Sequence, residues 1–141
     1  MTTTELIDRE LLGLLDLPAD LPEQLTIAEA AELTGLTAHT LRYYERVGLV
    51  HVGRDAAGYR SYDRRAMARI VFVTRLRASG MPIGTMSHYL DLVEEGEHTE
   101  PQRLALMQEH RARIQQQLRD LQLALAVTDY KITVYGGTAA P

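Results

Sequence analysis

Thr37-Ala38-His39-Thr40-Leu41-Arg42-Tyr43-Tyr44-Glu45-Arg46-Val47-Gly48-Leu49 is the stretch on which the reading of this chain turns. Thr37 is an N-cap residue, about three helical turns follow, and Gly48 is suited to a left-handed stop. At helical spacing Leu41, Tyr44 and Val47 share an inner side, whereas His39, Arg42, Tyr43 and Arg46 point outward. Two arginines, a histidine and a tyrosine on one face suit a helix laid in a nucleic-acid groove. They suit an ordinary solvated face equally well. The flanking segments decide between the two.

Upstream, Thr26-Ile27-Ala28-Glu29-Ala30-Ala31-Glu32-Leu33-Thr34 reads as a short helix, with Thr26 and Glu29 spaced as a capping box. Gly35 ends it and Thr37 caps the next helix, so the pair is a helix-turn-helix with Leu36 and Leu41 closing the shared core. Downstream, Leu49–Val52 and Tyr59–Tyr62 alternate about a turn at Arg54–Gly58, which predicts a β-hairpin wing. Asp63 then caps a third helix to Ser79, with Met67, Ile70, Val71, Val73 and Leu76 inward and Arg64, Arg65, Arg69, Arg75 and Arg77 around them. After Gly80 and Pro82, Ile83, Met86, Leu90 and Val93 mark a fourth helix ending near Gly96.

From Pro101 to about Asp129 the apolar steps of three and four change character. Leu104, Met107, Arg111, Ile114, Leu118, Leu121, Leu125 and Thr128 form a coiled-coil seam, with Arg111 as a polar register device. A helix of that span is about 43 Å long, more than a small domain needs to close its own core. It is read as a dimerisation helix. The expected organisation is therefore an acidic N-terminal extension (1–24), a winged helix-turn-helix domain (25–96), a long pairing helix (100–130) and a short tail (131–141). The fold class is mainly α. In the extension, Ile7, Leu11, Leu14 and Leu15 suggest a short amphipathic helix before Pro18 and Pro22.

The net charge of the 141-residue chain is −4, which at first argues against a nucleic-acid partner. Its distribution reverses that: −5 over residues 1–25, +4 over 26–80 and −3 over 81–141. Charges are screened beyond about 8 Å at physiological salt, so phosphate responds to the local balance. Hydrophobic content of 45% supplies a core, and the absence of cysteine excludes disulfides, thiolate ligands and thiol switches. No apolar run approaches the roughly 20 residues of a membrane span and the acidic N-terminus does not read as a signal peptide, so a cytoplasmic protein without a membrane partner is expected. No nucleophile-base set, phosphate-cradling glycine loop or metal-ligand motif is present, so neither an enzyme nor a cofactor is expected. His88, Glu94, Glu97 and His98 are better read as scattered surface residues than as a metal site.

Several of these segments together resemble the MerR (mercury-resistance regulator) family of bacterial transcription regulators. The match is carried by Thr26–Ala31, Gly35-Leu36-Thr37, Thr40–Leu49, Gly58-Tyr59-Arg60-Ser61-Tyr62 and Arg75–Ile83, followed by the long helix. The resemblance implies a homodimer paired through an antiparallel coiled coil. It also implies operator DNA that is bent and untwisted to align promoter elements for RNA polymerase. On that footing His39, Arg42 and Tyr43 face the major groove, with Arg46 on the same helix. Thr26 and Thr37 hold phosphates at helix N-termini, Tyr59 and Arg60 flank them from the wing, and Arg75 and Arg77 add further phosphate contacts. Family members that sense metals commonly carry cysteines near the end of the long helix, and members that bind drugs carry a larger C-terminal domain; this chain has neither. A small-molecule effector would then be uncharged or organic, near Tyr89, Met107 and Tyr130. An excisionase-like architectural DNA-binding protein shares the small winged fold and is the alternative, disfavoured by the long seam.

Overall fold

The computed structural model describes residues 17–18 and 20–139. The helix expected in the acidic extension lies outside the described residues apart from Leu17. The chain divides into two compact units between Asp91 and Leu92, inside the fourth helix.

In the first unit, β1 (Gln24–Leu25) leads into α1 (Ile27–Thr34) and α2 (Ala38–Arg46); β2 (Gly53–Arg54) and β3 (Arg60–Asp63) follow, then α3 (Arg64–Ala78) and the start of α4 (Ile83–Glu95). The Thr26 side chain accepts the Glu29 amide at 3.2 Å while the Glu29 carboxylate accepts the Thr26 amide at 3.0 Å, completing the capping box. Gly35 closes α1 at φ +70, with nothing near a hypothetical Cβ. The left-handed backbone, and not crowding, therefore calls for glycine there. The same holds at Gly48, φ +80. Gly48 and Leu49 donate to the carbonyls of Glu45 and Tyr44, a Schellman ending that turns the chain back and drops Leu49 into the core.

That ending corrects two expectations. Val47 is the C-cap, outside the helix and 36% exposed, so it does not share the inner side of Leu41 and Tyr44. Leu49 and Val50 are buried as irregular chain, and the first wing strand begins only at Gly53. The sheet also holds a strand that was not expected. β3 is central, pairing antiparallel with β1 (Gln24 opposite Asp63, Leu25 opposite Tyr62) and with β2 (Gly53 opposite Ser61, Arg54 opposite Arg60). Two short strands alone are marginal; the third supports them. A 2.6 Å hydrogen bond from the Ser61 hydroxyl to Gln24 Oε1 adds a side-chain tie between β3 and β1.

The core gathers Leu25, Ala30, Leu41, Tyr44, Leu49, Val50, Tyr62, Met67, Ile70 and Val73. Asp63 ends the sheet and starts the third helix, its carboxylate accepting the Ala66 amide at 2.7 Å. Phe72 of α3 meets Tyr89 of α4 with ring centroids 5.9 Å apart.

In the second unit, the end of α4 and a single 3-10 turn (Glu97–Thr99) precede α5 (Glu100–Val134). Thr99 is buried; its hydroxyl donates to the Leu92 carbonyl at 2.6 Å, with the Gly96 carbonyl at 2.8 Å, and accepts from Arg103 Nε at 3.0 Å. This fixes the elbow. At 35 residues α5 spans about 52 Å. It continues through Lys131–Val134, residues expected to belong to the short tail beyond a helix ending near Asp129. Of the expected seam, Met107 and Ile114 are half-buried, Arg111 and Thr128 exposed, and Leu104, Leu118, Leu121 and Leu125 between 53% and 67% exposed. His110, unremarked in the sequence, is buried, and its pKa is lowered by that burial and by the nearby Arg113 charge. No helix among the described residues is long and apolar enough to cross a membrane.

Tyr62 is fully buried, and its hydroxyl has no hydrogen-bond partner among the described residues. Burial, and then the Glu45 carboxylate, push its pKa up. An unpaired buried hydroxyl contributes nothing that phenylalanine would forfeit. Tyr62→Phe should leave stability unchanged or raise it by up to ~1 kcal/mol, whereas Tyr62→Ala should cost about 3–5 kcal/mol. Urea unfolding of the two variants measures both; a clear loss in Tyr62→Phe would mean that the hydroxyl has a partner.

Candidate nucleic-acid interface

The outward face of α2 is set by which of its residues the core consumes. Leu41 and Tyr44 are buried against the first unit, leaving His39, Arg42 and Arg46 exposed and Tyr43 half-buried within an arc of about 100°. Tyr43 is not free to swing, because its ring lies 6.3 Å from that of Tyr44 and beneath the Arg46 guanidinium, 5.4 Å from carbon to centroid. A cation over an aromatic face holds both side chains in one arrangement. The face is thus partly built before anything binds.

The two threonines sit at the N-termini of α1 and α2, but their oxygens are already employed. Thr37 Oγ1 accepts the Thr40 amide at 3.1 Å and donates to the Thr40 hydroxyl at 3.0 Å. Thr26 Oγ1 accepts the Glu29 amide. What remains for an anion at these ends is mainly the unpaired amides of the first turn.

At the wing, Asp55 organises the turn: its carboxylate accepts the amides of Ala57 at 2.9 Å and Tyr59 at 3.0 Å. Tyr59 is held out at the tip, 73% exposed, while Tyr62 is buried. Arg60 lies beside α2, its Nε donating to Glu45 Oε2 at 2.8 Å, and Arg54 Nη2 donates to Glu45 Oε1 at 2.7 Å. One carboxylate therefore joins α2 to both strands of the wing. Glu45 and Arg54 were not singled out from the sequence as functional; the sole signal would have been an acid in an otherwise basic helix. Arg75 and Arg77 are exposed in the last turn of α3, about 16 Å and about 20 Å along its axis from Arg64. Neither side chain makes a hydrogen bond or ion pair with α2 or the wing among the described residues. Among the described residues no three histidine or acidic side chains gather to hold a metal.

A family profile described as "MerR HTH family regulatory protein" matches residues 25–92, and one described as "MerR, DNA binding" matches residues 67–127. The chain is 40% identical over 91 residues to the HTH-type transcriptional regulator AdhR of Bacillus subtilis, covering 64% of this chain and 65% of that protein. It is 30% identical over 111 residues to an HTH-type transcriptional regulator of Haemophilus influenzae, covering 78% of this chain and 82% of that one. Among solved structures, HiNmlR, described as a MerR family regulator lacking the sensor domain and bound to promoter DNA, superposes with a TM-score of 0.74 at 29% identity, covering 79% of this chain and 90% of its own. A MerR family regulator from Bacillus thuringiensis gives 0.73 at 30% identity, covering 79% and 99%.

Burial alone would push the Glu45 carboxyl up, but the hydrogen bonds and charges of Arg54 and Arg60 outweigh it and hold the pKa below its usual 4.5. A depressed carboxylate stabilises the fold above the unfolded-state value and loses that contribution as pH falls through the folded value. Thermal unfolding below pH 4.5 should therefore fall more steeply for the parent than for Glu45→Gln. Parallel acid profiles for the two proteins would show that the bridge adds nothing to stability.

Proposed function

The chain belongs to the MerR family and is a DNA-binding transcription regulator, and from that premise we propose that it binds an inverted-repeat operator as a homodimer and distorts promoter DNA to control RNA polymerase. In this reading residues 25–96 bind DNA, 100–130 pair two copies as an antiparallel coiled coil, and 131–141 form a tail. The observation that carries it is the prearranged basic face of α2, with Arg60 of the wing alongside. Arg42, Tyr43 and His39 read base edges in the major groove, and Arg46 supports Tyr43. The helix ends at Thr26 and Thr37 meet phosphates through backbone amides, Tyr59 and Arg60 reach the backbone from the wing, and Arg75 and Arg77 add contacts if the DNA bends toward them.

Pairing is supported by the exposed leucines of α5. A row of that size is seldom left in water by a soluble protein. Leu104, Met107, Ile114, Leu118, Leu121, Leu125 and Thr128 form the seam, with Arg111 setting register. A twofold dimer presents two α2 helices, which requires a symmetric operator. The work is regulatory binding without a chemical step or a resident cofactor, in the cytoplasm where promoter DNA lies. An effector, where one acts, is an uncharged or organic molecule, since no thiol is available for a soft metal.

Selection of bound DNA in vitro should return an inverted repeat. On it Arg42→Ala should cost about 1–3 kcal/mol and relax one position per half-site. Uniform weakening on every sequence would make Arg42 a phosphate ligand instead. Affinity should fall by about 0.9 log units per log unit of salt for each neutralised phosphate, and a flat response contradicts DNA binding through this face. Leu118→Glu/Leu125→Glu should run as a monomer by light scattering and lose operator binding; a dimer of unchanged affinity would place the pairing surface elsewhere.

A further inference from the structure

The β2–β3 register places Arg54 directly opposite Arg60. Two like charges facing each other across an antiparallel pair repel and splay the strands. Here one carboxylate stands against both, each oxygen taking one guanidinium at 2.7 and 2.8 Å. Arg54 is further tied through Nη1 to the carbonyls of Gly53 at 3.3 Å and Val52 at 3.5 Å. Arg60 is held only at its Nε edge, and its two terminal nitrogens make no hydrogen bond to a described residue. The cluster of two cations and one anion keeps a net positive charge, and the Arg60 side chain stays partly exposed with its terminal nitrogens uncommitted to any described residue.

We propose that Glu45 is a positioning residue for DNA binding, aiming the terminal nitrogens of Arg60 at a backbone phosphate by clamping its Nε edge and screening it from Arg54. The proposal rests on the reading that the wing meets phosphate. Stability alone does not account for the arrangement, because partly exposed ion pairs contribute little. A carboxylate near a DNA interface also repels phosphate, so its presence there has to be repaid by geometry. Arginine loses several rotamers when it is immobilised; a side chain already held in its bound orientation has met that cost before DNA arrives. The planar fork of Arg60 then matches two phosphate oxygens.

The test is the affinity of the full chain for a random-sequence linear duplex at low salt, since a phosphate contact is independent of sequence, and for the selected operator. Glu45→Gln should weaken binding to both by roughly three- to tenfold, the scale of ordering one long side chain. Arg60→Gln should weaken binding by at least as much, and in its background Glu45→Gln should have no further effect. Tighter binding by Glu45→Gln would mean that the carboxylate only repels DNA, and an undiminished loss in the Arg60→Gln background would mean that it acts through something else; either overturns the proposal. Wild-type binding by Arg60→Gln overturns the wing–phosphate reading itself and the proposal with it. Should Glu45→Gln fail to fold, Glu45→Gln/Arg54→Gln removes the like-charge clash together with the carboxylate, and the same loss, abolished by adding Arg60→Gln, is expected.

Discussion

Four consecutive residues, Arg60 to Asp63, hold the first unit together through the pairing of one strand on both of its edges. Each serves a different partner. Arg60 meets α2 through Glu45, Ser61 ties to Gln24, Tyr62 fills the core and Asp63 caps α3. Alternation along a strand makes this division possible, since successive side chains leave on opposite faces. α2, the wing and α3 are thereby referred to one short segment, and a slip of one residue would exchange Tyr62 for a polar neighbour in the core. The interface is as precise as that register.

Much of this was legible because the signals are local. Thr26 with Glu29, Gly35, Thr37 and Asp63 all act within four residues of themselves, and each cap forms where the sequence places it. The helix-turn-helix, the long helix and the outward set His39, Arg42 and Arg46 follow from such signals. Tertiary relations were harder. Two residues, Gln24 and Leu25, have no periodicity to reveal a strand, and only pairing with Tyr62 and Asp63 makes them one. Glu45, Arg54 and Arg60 become a cluster only when the wing register is known. Val47 was misplaced because its apolar character fits the helical stripe, while the Schellman ending needs a residue there that has already left the helix.

The charge distribution gives the division of labour a physical basis. A chain of net −4 carries its excess of arginine between residues 26 and 80, the segment that builds α2, the wing and α3. Within it Glu45, one of five acids, lowers the local positive charge but ties Arg54 to Arg60. The second unit obeys a different logic: its elbow is closed by hydrogen bonds converging on buried Thr99, whereas most of α5 beyond Gln115 has no cover of its own.

The pairing of Leu25 with Tyr62 also has a temporal side. The helices close through contacts between near neighbours, but this pair joins residues far apart in the chain, and bringing such ends together carries a loop-closure entropy that short-range contacts avoid. During synthesis β1 leaves the ribosome first and stays an unpaired edge until the segment through Asp63 has followed it. The helix-turn-helix can take shape in that interval, whereas the three-stranded wing cannot. The sheet therefore waits on a long-range pairing that the helix-turn-helix does not need, and the hairpin gains the support of β1 only once that pairing has formed.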